Sequence, residues 1–398
     1  QAIRQILGRP NRAALATLKA SALRAMSELP PLPPPPAAMP QAAPEPAPET
    51  LAAIVELARS KGYSDIHLGV GEEPRFRARG EITASGWPPT DAVLFDRWLS
   101  EVLGSAEREQ FRIERDFDGS FAFERVRVRI NLMESLLGPA MVLRLIPQTI
   151  LSLEELKLPE VLKALADRPK GLVLVTGPTG SGKSTTLAAM VDWINRQKAS
   201  HILTIEDPIE FVHTSKRSLV RQREVGHHTL RFKTALRAAL REDPDVILIG
   251  EIRDGDTLTT ALEASQTGHL VFGTLHTNSA VRTVERVLGM VPPEDQPSLR
   301  RALSESLLGV IAQGLIRSRS GRRAFHDILI NTEACRDYIE RGELDAVEQI
   351  MERSGFDGMV TANQSLQALV EAGEVDGEAA VAVSLKPNEL TQALRGRQ

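Results

Sequence analysis

Apolar and polar residues follow two different patterns along this chain, and the change between them marks two regions. In residues 50–150, Thr50 can cap a helix that ends near Gly62, and Arg125–Ile130 alternates strictly between arginine and β-branched residues. A period of two places the arginines on one face of a strand and the apolar residues on the other. Further strands are predicted at Asp65–Val70, Arg75–Arg79 and Ala140–Ile146, and a helix is predicted near Val93–Leu103. The region is therefore predicted to be a small α+β domain.

Residues 151–398 alternate instead between short apolar runs and helical stretches. The apolar runs predict buried strands at Leu172–Thr176, His201–Ile205, Val246–Ile249 and Leu270–Thr274. A helix is predicted over Gly182–Arg196, and the chain after about Leu299 is expected to be mainly helical. Such alternation favours a mostly parallel sheet with helices on both faces, which is an α/β fold.

Residues 1–49 have a composition unlike the remainder of the chain. Residues 1–29 carry five basic side chains and one acidic side chain, with apolar residues at roughly helical spacing. This pattern predicts a basic amphipathic extension that could lie on an anionic membrane or dock on a partner, although the lack of an aromatic anchor favours a partly ordered tail. Between Pro30 and Pro48, ten of nineteen residues are proline. Residues 30–49 are therefore predicted to be an extended, semi-stiff linker.

Composition narrows the functional classes. The 398 residues are 42% hydrophobic and 25% charged, as in an ordinary folded protein, and no apolar run approaches the roughly 20 residues that span a bilayer. Cys335 is the single cysteine, which excludes an internal disulfide and a four-cysteine zinc site. The net charge of −4 gives no general attraction to nucleic acid. We therefore expect a cytoplasmic protein with no direct nucleic-acid partner. Since the chain begins at Gln1, its natural start is expected to lie upstream.

Residues 177–184 match the complete P-loop pattern, between an apolar strand and a helix-forming run. Glycines let backbone N–H groups surround phosphates, and the N-terminus of the following helix adds partial positive charge. Lys183 is predicted to reach the β- and γ-phosphates, and Ser184 is predicted to ligate Mg²⁺. The candidate nucleotide-binding residues are Gly177, Pro178, Thr179, Gly180, Ser181, Gly182, Lys183, Ser184 and Thr185. The sequence thus predicts a site for a nucleoside triphosphate with Mg²⁺.

Acidic residues follow two of the predicted strands, where hydrolysis needs them to orient water and to support the metal. The position before Glu251, where many P-loop proteins carry an aspartate, is glycine, so Glu251 is predicted to activate water. Mg²⁺ would then be held by the P-loop serine and water, with Glu206, Asp207 or Glu210 assisting. The alternative for these acids is helix capping or surface charge, and Asp207 could simply cap a turn.

His269 and His276 flank the last predicted strand. Their spacing of seven places them on opposite faces of a strand, so they are not expected to be paired metal ligands. Each could be a satisfied core or loop histidine, which is the commoner case. His276 nevertheless lies at the carboxyl end of the strand, where α/β sheets contact ligands, and it could sense the γ-phosphate.

Four segments, in this order, resemble the Walker A, Asp-box, atypical Walker B and His-box motifs of the type II/IV secretion ATPase superfamily. They are the P-loop, Thr204–Phe211, Leu236–Asp254 and Thr267–Thr277. Within that superfamily, the chain is most similar from about Leu51 to Leu344 to the twitching-motility (PilT) group, the type IV pilus retraction ATPases. The resemblance implies a PAS-like N-terminal domain followed by a RecA-like P-loop NTPase domain with a helical C-terminal region.

The same resemblance implies a function and partners. It implies an ATP-hydrolysing homo-hexameric motor, with ATP bound between the domains, that powers pilus retraction in twitching motility and could serve DNA uptake. Such a motor is cytoplasmic and peripheral at the inner-membrane face. It acts on an inner-membrane pilus platform protein and could work beside a paralogous motor ATPase.

Site residues are implied by the matching motifs. The resemblance implies Glu251 as catalytic base, Glu210 as an Asp-box acid near the metal, and His269 and His276 as His-box residues. The arginines expected around the nucleotide, some of them supplied across a subunit boundary, are Arg127, Arg129, Arg223, Arg241 and Arg253. The alternative for the two arginines at 127 and 129 is a solvated sheet face.

Departures from the retraction group keep other functions open. The stretch Ala334–Arg341 aligns with a C-terminal motif of that group but shares few of its residues. This difference leads to an alternative hypothesis, that the protein is an accessory or regulatory nucleotide-binding paralogue with weak turnover. Gln266 is more typical of pilus assembly and type II secretion ATPases, whereas the single cysteine argues against their tetracysteine zinc site. A RecA-like nucleic-acid motor is disfavoured because only 4% of the residues are aromatic.

Overall fold

The computed structural model describes residues 46–78, 80–146, 149–319 and 321–396. The predicted extension at residues 1–29 lies outside the described residues, as does most of the predicted linker at 30–49. The chain divides into two units, Gln1–Pro46 and Ala47–Gln398, and the second contains both sheets and all of the helices that follow.

Residues 51–146 form a six-stranded antiparallel sheet with helices packed against it. In chain order the elements are α1 (Leu51–Ser60), β1 (Asp65–Gly69), β2 (Arg75–Ala78), β3 (Glu81–Ala84), α2 (Ala92–Val102), α3 (Ser105–Glu114), β4 (Asp116–Phe123), β5 (Val126–Ser135) and β6 (Gly138–Ile146). The strands lie in the order β3-β2-β1-β6-β5-β4. Thr50 caps α1 as predicted, since its hydroxyl accepts a hydrogen bond of 3.3 Å from the backbone nitrogen of Ala53. The core between sheet and helices includes Phe95 and Trp98 of α2.

The alternating segment is the start of β5, and its two faces differ as predicted. The three apolar residues of Val126–Ile130 are at most 4% exposed and join the core. Arg127 and Arg129 are half-buried on the opposite face. Arg125 does not belong to the strand, because it lies in the turn between β4 and β5.

Residues 161–330 form a seven-stranded sheet covered by helices on both faces. In chain order the elements are α4 (Val161–Ala166), β7 (Gly171–Thr176), α5 (Lys183–Gln197), β8 (His201–Glu206), β9 (Leu219–Glu224), α6 (Phe232–Ala239), β10 (Val246–Ile249), α7 (Gly255–Gln266), β11 (Leu270–Leu275), α8 (Ala280–Leu288), α9 (Gln296–Ser306), β12 (Leu307–Ser318) and β13 (Gly321–Ile330). The strand order is β13-β12-β7-β11-β10-β8-β9. Every neighbouring pair is parallel except β12 and β13.

Alternate residues of β7 enter two different cores. Leu172 and Leu174 pack with α6, α7, α8 and α9, whereas Val173 and Val175 pack with α4 and α5. The sheet therefore lies between two helical layers, and the predicted α/β architecture is confirmed.

The expectation of a mainly helical chain after about Leu299 is wrong for residues 307–330. These residues form β12 and β13, an antiparallel pair whose register runs from Gly309 opposite Ile330 to Ser318 opposite Gly321. β12 also pairs with β7, and most of its first ten residues are buried. A strand buried on both faces has no period of two, so its sequence resembles that of a buried helix.

The chain beyond β13 is helical, as the predicted C-terminal region requires. Its elements are α10 (Glu333–Arg341), α11 (Leu344–Arg353), a short 3₁₀ turn (Gly355–Asp357), α12 (Ala362–Glu371), α13 (Gly377–Val383) and α14 (Pro387–Arg395). Leu366, Ala380 and Leu390 of the last three helices form a small core with Ile316 of β12. Among the described residues, no helix is long and apolar enough to cross a membrane.

Candidate active site

The carboxyl ends of four parallel strands meet at one edge of the seven-stranded sheet. The P-loop follows β7, Glu206 ends β8, Glu251 follows β10 and His276 follows β11. The loops after these strands border a cavity of about 600 Å³, and β5 and β6 of the antiparallel sheet supply further wall residues. Both sheets therefore contribute to one site.

Two glycines of the P-loop lie where a side chain would clash. Gly177 has φ = 142°, and a Cβ there would lie 2.2 Å from the carbonyl oxygen of Gln313. Gly182 has φ = 88°, and a Cβ there would lie 2.8 Å from Nε2 of Gln313. The glycines thus let the loop curl against β12 and bring its backbone close to a phosphate. The residues of the predicted loop that line the cavity are Thr179, Gly180, Gly182, Lys183, Ser184 and Thr185. Gly177, Pro178 and Ser181 do not line it; Gly177 and Ser181 are buried, whereas Pro178 is exposed.

A buried polar network, which was not predicted from the sequence, connects the P-loop and the start of α5 to β12. Gln313 donates from Nε2 to the carbonyl oxygen of Ser181 at 2.8 Å and accepts at Oε1 from the Thr186 hydroxyl at 2.7 Å. Nε2 of His326 on β13 lies 3.2 Å from the same Oε1. Burial lowers the pKa of His326 to about 4, so its imidazole is neutral at physiological pH. Gln313 and His326 were missed because their strands were expected to be helical.

Lys183 lies at the first position of α5 with its ammonium over the P-loop. Its Nζ donates to the carbonyl oxygens of Gly177 at 2.8 Å and Pro178 at 3.1 Å. Burial lowers the pKa of Lys183, while the nearby carboxylates of Glu210 and Glu251 act in the opposite direction. The charged ammonium is therefore held where the P-loop would bind phosphates.

Glu251 is fixed by two side chains, one on each carboxylate oxygen. Its Oε1 lies 3.1 Å from Nε2 of His276, and its Oε2 accepts from Nε of Arg253 at 2.7 Å. Nη1 of Arg253 also lies 3.7 Å from Oδ2 of Asp207. The hydroxyl of Thr274 on β11 donates to the carbonyl oxygen of Gly250, which ties the turn before Glu251 to the neighbouring strand. The predicted base, histidine and Arg253 are therefore brought together at the cavity.

The predicted acidic segment divides into one half-buried carboxyl and two exposed ones. Glu206 accepts from the Thr204 hydroxyl at 2.6 Å and from Gln222 Nε2 at 3.1 Å. Burial raises the pKa of Glu206 to about 7, because these hydrogen bonds offset only part of the desolvation. Asp207 and Glu210 are exposed at the cavity.

The oxygen donors at this edge suit Mg²⁺. Among the residues that the structure describes, no group of three His, Cys, Asp or Glu side chains could hold a metal ion by itself. The Ser184 hydroxyl and the carboxylates of Asp207 and Glu210 are hard oxygen ligands at one cavity, and Mg²⁺ commonly binds through few protein oxygens together with phosphate and water. The residues present therefore fit a Mg²⁺–nucleotide complex.

Two arginines of the antiparallel sheet reach the cavity. Arg129 on β5 and Arg144 on β6 are directly opposite in the strand register, and both line the cavity. Arg129 donates to both carboxylate oxygens of Asp118, at 3.1 and 2.5 Å, and these hydrogen bonds raise its pKa. Arg144 donates from Nε to Oδ1 of Asp65 at 2.8 Å. Arg144 was missed, and the signal that could have found it is its cross-strand position opposite Arg129.

Four predicted site residues lie away from the cavity within the chain. Arg127 pairs with Glu224 at 2.9 Å, and Arg223 pairs with Glu242 at 3.0 Å. The other two are Arg241 and His269, which lie before β10 and β11, at the opposite edge of the sheet. Any contact of these four with a nucleotide, including one across a subunit boundary, stays a prediction.

Comparisons with known proteins agree on one family. The family described as "Type II/IV secretion system protein" matches residues 41–386. The "Twitching motility protein" of Neisseria gonorrhoeae is 47% identical over 310 residues, which cover 77% of this chain and 83% of the relative. The "Type IV pilus retractation ATPase PilT" of Pseudomonas aeruginosa is 45% identical over 330 residues, which cover 82% of this chain and 96% of the relative. A crystal structure described as the pilus retraction motor PilT with bound ADP matches with a TM-score of 0.81 at 41% identity, and covers 86% of this chain and 99% of that chain.

Proposed function

The chain belongs to the type II/IV secretion system protein family, and from this premise we propose that it is an ATP-hydrolysing motor that powers retraction of a type IV pilus. The observation that carries the proposal is the position of Glu251 at the same cavity as the P-loop, with one carboxylate oxygen held by His276 and the other by Arg253. A carboxylate oriented in this way beside a phosphate site can take a proton from an attacking water.

Different residues of the chain have different roles in the proposed hydrolysis. The P-loop backbone and Lys183 bind the phosphates, and Glu251 orients and deprotonates the water. Arg129 and Arg144 reach the cavity from the antiparallel sheet and can stabilise negative charge on the phosphates. Mg²⁺, held through Ser184, would neutralise part of the phosphate charge.

ATP between two sheets offers a way to turn hydrolysis into movement. The P-loop and Glu251 belong to the seven-stranded sheet, whereas Arg129 and Arg144 belong to the antiparallel one. Loss of the γ-phosphate removes charge that both sides contact, so the preferred spacing of the two sheets changes. We propose that a homo-hexamer uses this change at the cytoplasmic face of the inner membrane, peripherally attached to a pilus platform protein. A paralogous motor could act beside it.

The ATPase assay separates this function from the accessory alternative. Purified full-length protein, Glu251→Gln and the control Glu263→Gln, an exposed glutamate of α7, are compared with excess MgATP. We expect Glu251→Gln to lower kcat by about 10²–10⁴-fold, the usual contribution of a general base, and Glu263→Gln to leave it unchanged. Equal, near-zero rates in all three proteins would support an accessory nucleotide-binding role instead.

Deletion of the gene separates retraction from assembly. Cells without a retraction motor should keep extended surface pili and lose twitching motility, whereas cells without an assembly ATPase should have no pili. Complementation with the Glu263→Gln gene should restore motility, and complementation with Glu251→Gln should not. Bald deletion cells would contradict the retraction role while leaving ATP hydrolysis intact.

A further inference from the structure

A second cavity, of about 810 Å³, lies at the edge of the seven-stranded sheet opposite the nucleotide site. It is lined by Gly171, the first residue of β7, whereas the P-loop follows the last residue of that strand. Six strand residues separate the two edges by roughly 20 Å at about 3.3 Å per residue. Its walls come from α4, the end of α9 and the start of α10. No motif of the nucleotide site reaches it.

Two buried polar side chains line this cavity with unused hydrogen-bonding atoms. Ser306 is 5% exposed and Asn331 is 8% exposed, and neither Oγ of Ser306 nor Oδ1 of Asn331 has a partner among the described residues. Nδ2 of Asn331 donates to the carbonyl oxygens of Ser304 and Leu307, both at 2.8 Å. These two bonds fix the orientation of the amide, so Oδ1 keeps an acceptor that needs an N–H or O–H donor.

Three cationic side chains surround the same cavity. Arg168, Lys170 and Arg336 are exposed, line the cavity and form no ion pair within the described part of the chain. Two acids also line it. Glu305 lies 3.6 Å from the Arg301 guanidinium, and Asp357 forms no ion pair within the described residues, so three unpaired cations face one unpaired carboxylate. The cavity therefore offers unpaired positive charge at its opening, in a chain whose net charge is −4.

We propose that this cavity binds an acidic segment of a partner protein in extended conformation. Carboxylates of the segment would pair with Arg168, Lys170 and Arg336. Oδ1 of Asn331, which is closed to solvent in this structure, would accept from a backbone N–H after a local side-chain shift. A fully ionised anion such as chloride or sulfate matches the cations but brings no hydrogen-bond donor for that acceptor. The volume lies in the range of pockets that enclose a short ligand, so a few residues of chain enter rather than a folded surface. The site is separate from the nucleotide cavity and does not depend on the proposed motor activity.

A binding experiment with defined peptides tests this proposal. Full-length protein in saturating MgADP, which occupies the P-loop, is titrated against a fluorescein-labelled decapeptide of alternating Glu and Ala, and anisotropy is measured. We expect binding to the Glu peptide and none to the matching Gln–Ala and Lys–Ala peptides. In Arg168→Gln/Arg336→Gln, the dissociation constant should rise by about tenfold, since each partly exposed ion pair contributes modestly.

The matched control is the double variant Arg75→Gln/Arg125→Gln, which removes the same charge at exposed sites of the antiparallel sheet and its turn. It should bind the Glu peptide as the unaltered protein does. Equal weakening in both double variants, or equal binding of the Glu and Gln peptides, would overturn the proposal. Complete displacement of the peptide by inorganic phosphate at constant ionic strength would show a small-anion site instead. A change in oligomer mass in Arg168→Gln/Arg336→Gln without a change in peptide binding would show a contact between copies of this chain.

Discussion

The ion pair between Arg127 and Glu224 leads to a prediction that distinguishes a structural role from a nucleotide contact. Glu224 ends β9, is 1% exposed, and accepts from Arg127 Nη2 at 2.9 Å, the Ser120 hydroxyl at 2.6 Å and the backbone nitrogen of Ile209 at 3.0 Å. It thus joins the antiparallel sheet to the segment that carries Asp207 and Glu210. The perturbation is Arg127→Met and Glu224→Gln, made singly and together.

The size of the effect follows from burial. Removing one partner of a buried pair costs about 3–5 kcal/mol, because the other charge is left uncompensated. The Arg127 side chain is 19% exposed, so water can replace part of the interaction, and we expect Arg127→Met to cost about 2–3 kcal/mol of unfolding free energy. The double variant leaves no uncompensated charge, so its cost should fall below the sum of the single costs by about 1–2 kcal/mol.

The pH for this experiment follows from the pKa of Glu224. Burial would raise that pKa, but hydrogen bonds from Ser120 and Ile209, together with the charge of Arg127, outweigh it and lower the pKa. A carboxyl with a lowered folded-state pKa stabilises the fold above its unfolded pKa of about 4.3, and the stabilisation is lost as the pH falls through the folded value. Measurements at pH 7 therefore report the whole contribution.

Thermal unfolding and ATPase activity are both measured for the unaltered protein, the two single variants and the double variant. If Arg127 acts only through Glu224, Arg127→Met should lower activity in the natural background but cause no further loss in the Glu224→Gln background. Arg129→Met, which changes a residue at the nucleotide cavity, is the control and should lower activity by the same factor in both backgrounds. An equal loss from Arg127→Met in both backgrounds would refute the reasoning and assign Arg127 to the nucleotide.

Three further predictions concern the nucleotide edge. Gly177→Ala should abolish binding of a fluorescent ADP analogue, because the new Cβ would lie 2.2 Å from the Gln313 carbonyl oxygen; Gly355→Ala, where a Cβ meets nothing within 4 Å, should bind as before. Because burial lowers the pKa of His326 to about 4, the unfolded chain binds a proton below pH 6.5 that the folded chain excludes, so His326 by itself should contribute a loss of about 2 kcal/mol of stability from pH 7 to pH 5. His326→Asn should flatten that dependence in urea unfolding, and an unchanged slope would contradict it. His276→Ala should lower kcat while leaving the affinity for ADP unchanged, since His276 orients Glu251; an equal loss in binding would place it on the nucleotide.

The sequence predicted those parts of the fold and site whose signals are local. Buried strands such as β7 and β11 are short apolar runs bounded by glycine, and the P-loop spacing is read without knowing any contact. Glu251 could be placed because a single strand, β10, ends beside it. The carboxyl ends of parallel strands meet at one edge, so local signals were enough to collect these residues in one site.

The parts that the sequence did not predict depend on pairing between distant segments. β12 is buried on both faces, and its apolar run therefore matched a helix as well as a strand. Gln313 can bond to the P-loop only because β12 pairs with β7 in the sheet. The sequence could not show which arginines reach the nucleotide cavity, because Arg127 and Arg129 lie on the same face of one strand. Arg127 pairs with Glu224, whereas Arg129 lies opposite Arg144 and lines the cavity.

The contacts around the nucleotide cavity indicate which part of the molecule would move when ATP is hydrolysed. The P-loop is tied to β12 by buried hydrogen bonds of Gln313 within a continuous hydrogen-bonded sheet, and that sheet lies between two apolar cores. Glu224 joins the antiparallel sheet to this framework through side-chain bonds with Ser120 and Arg127, and Arg127 is partly exposed. Polar, partly solvated contacts open at lower free energy than buried sheet contacts. In the proposed motor, loss of phosphate charge near Arg129 and Arg144 is therefore expected to shift the antiparallel sheet against a fixed P-loop, and the Arg127–Glu224 pair is expected to limit that shift.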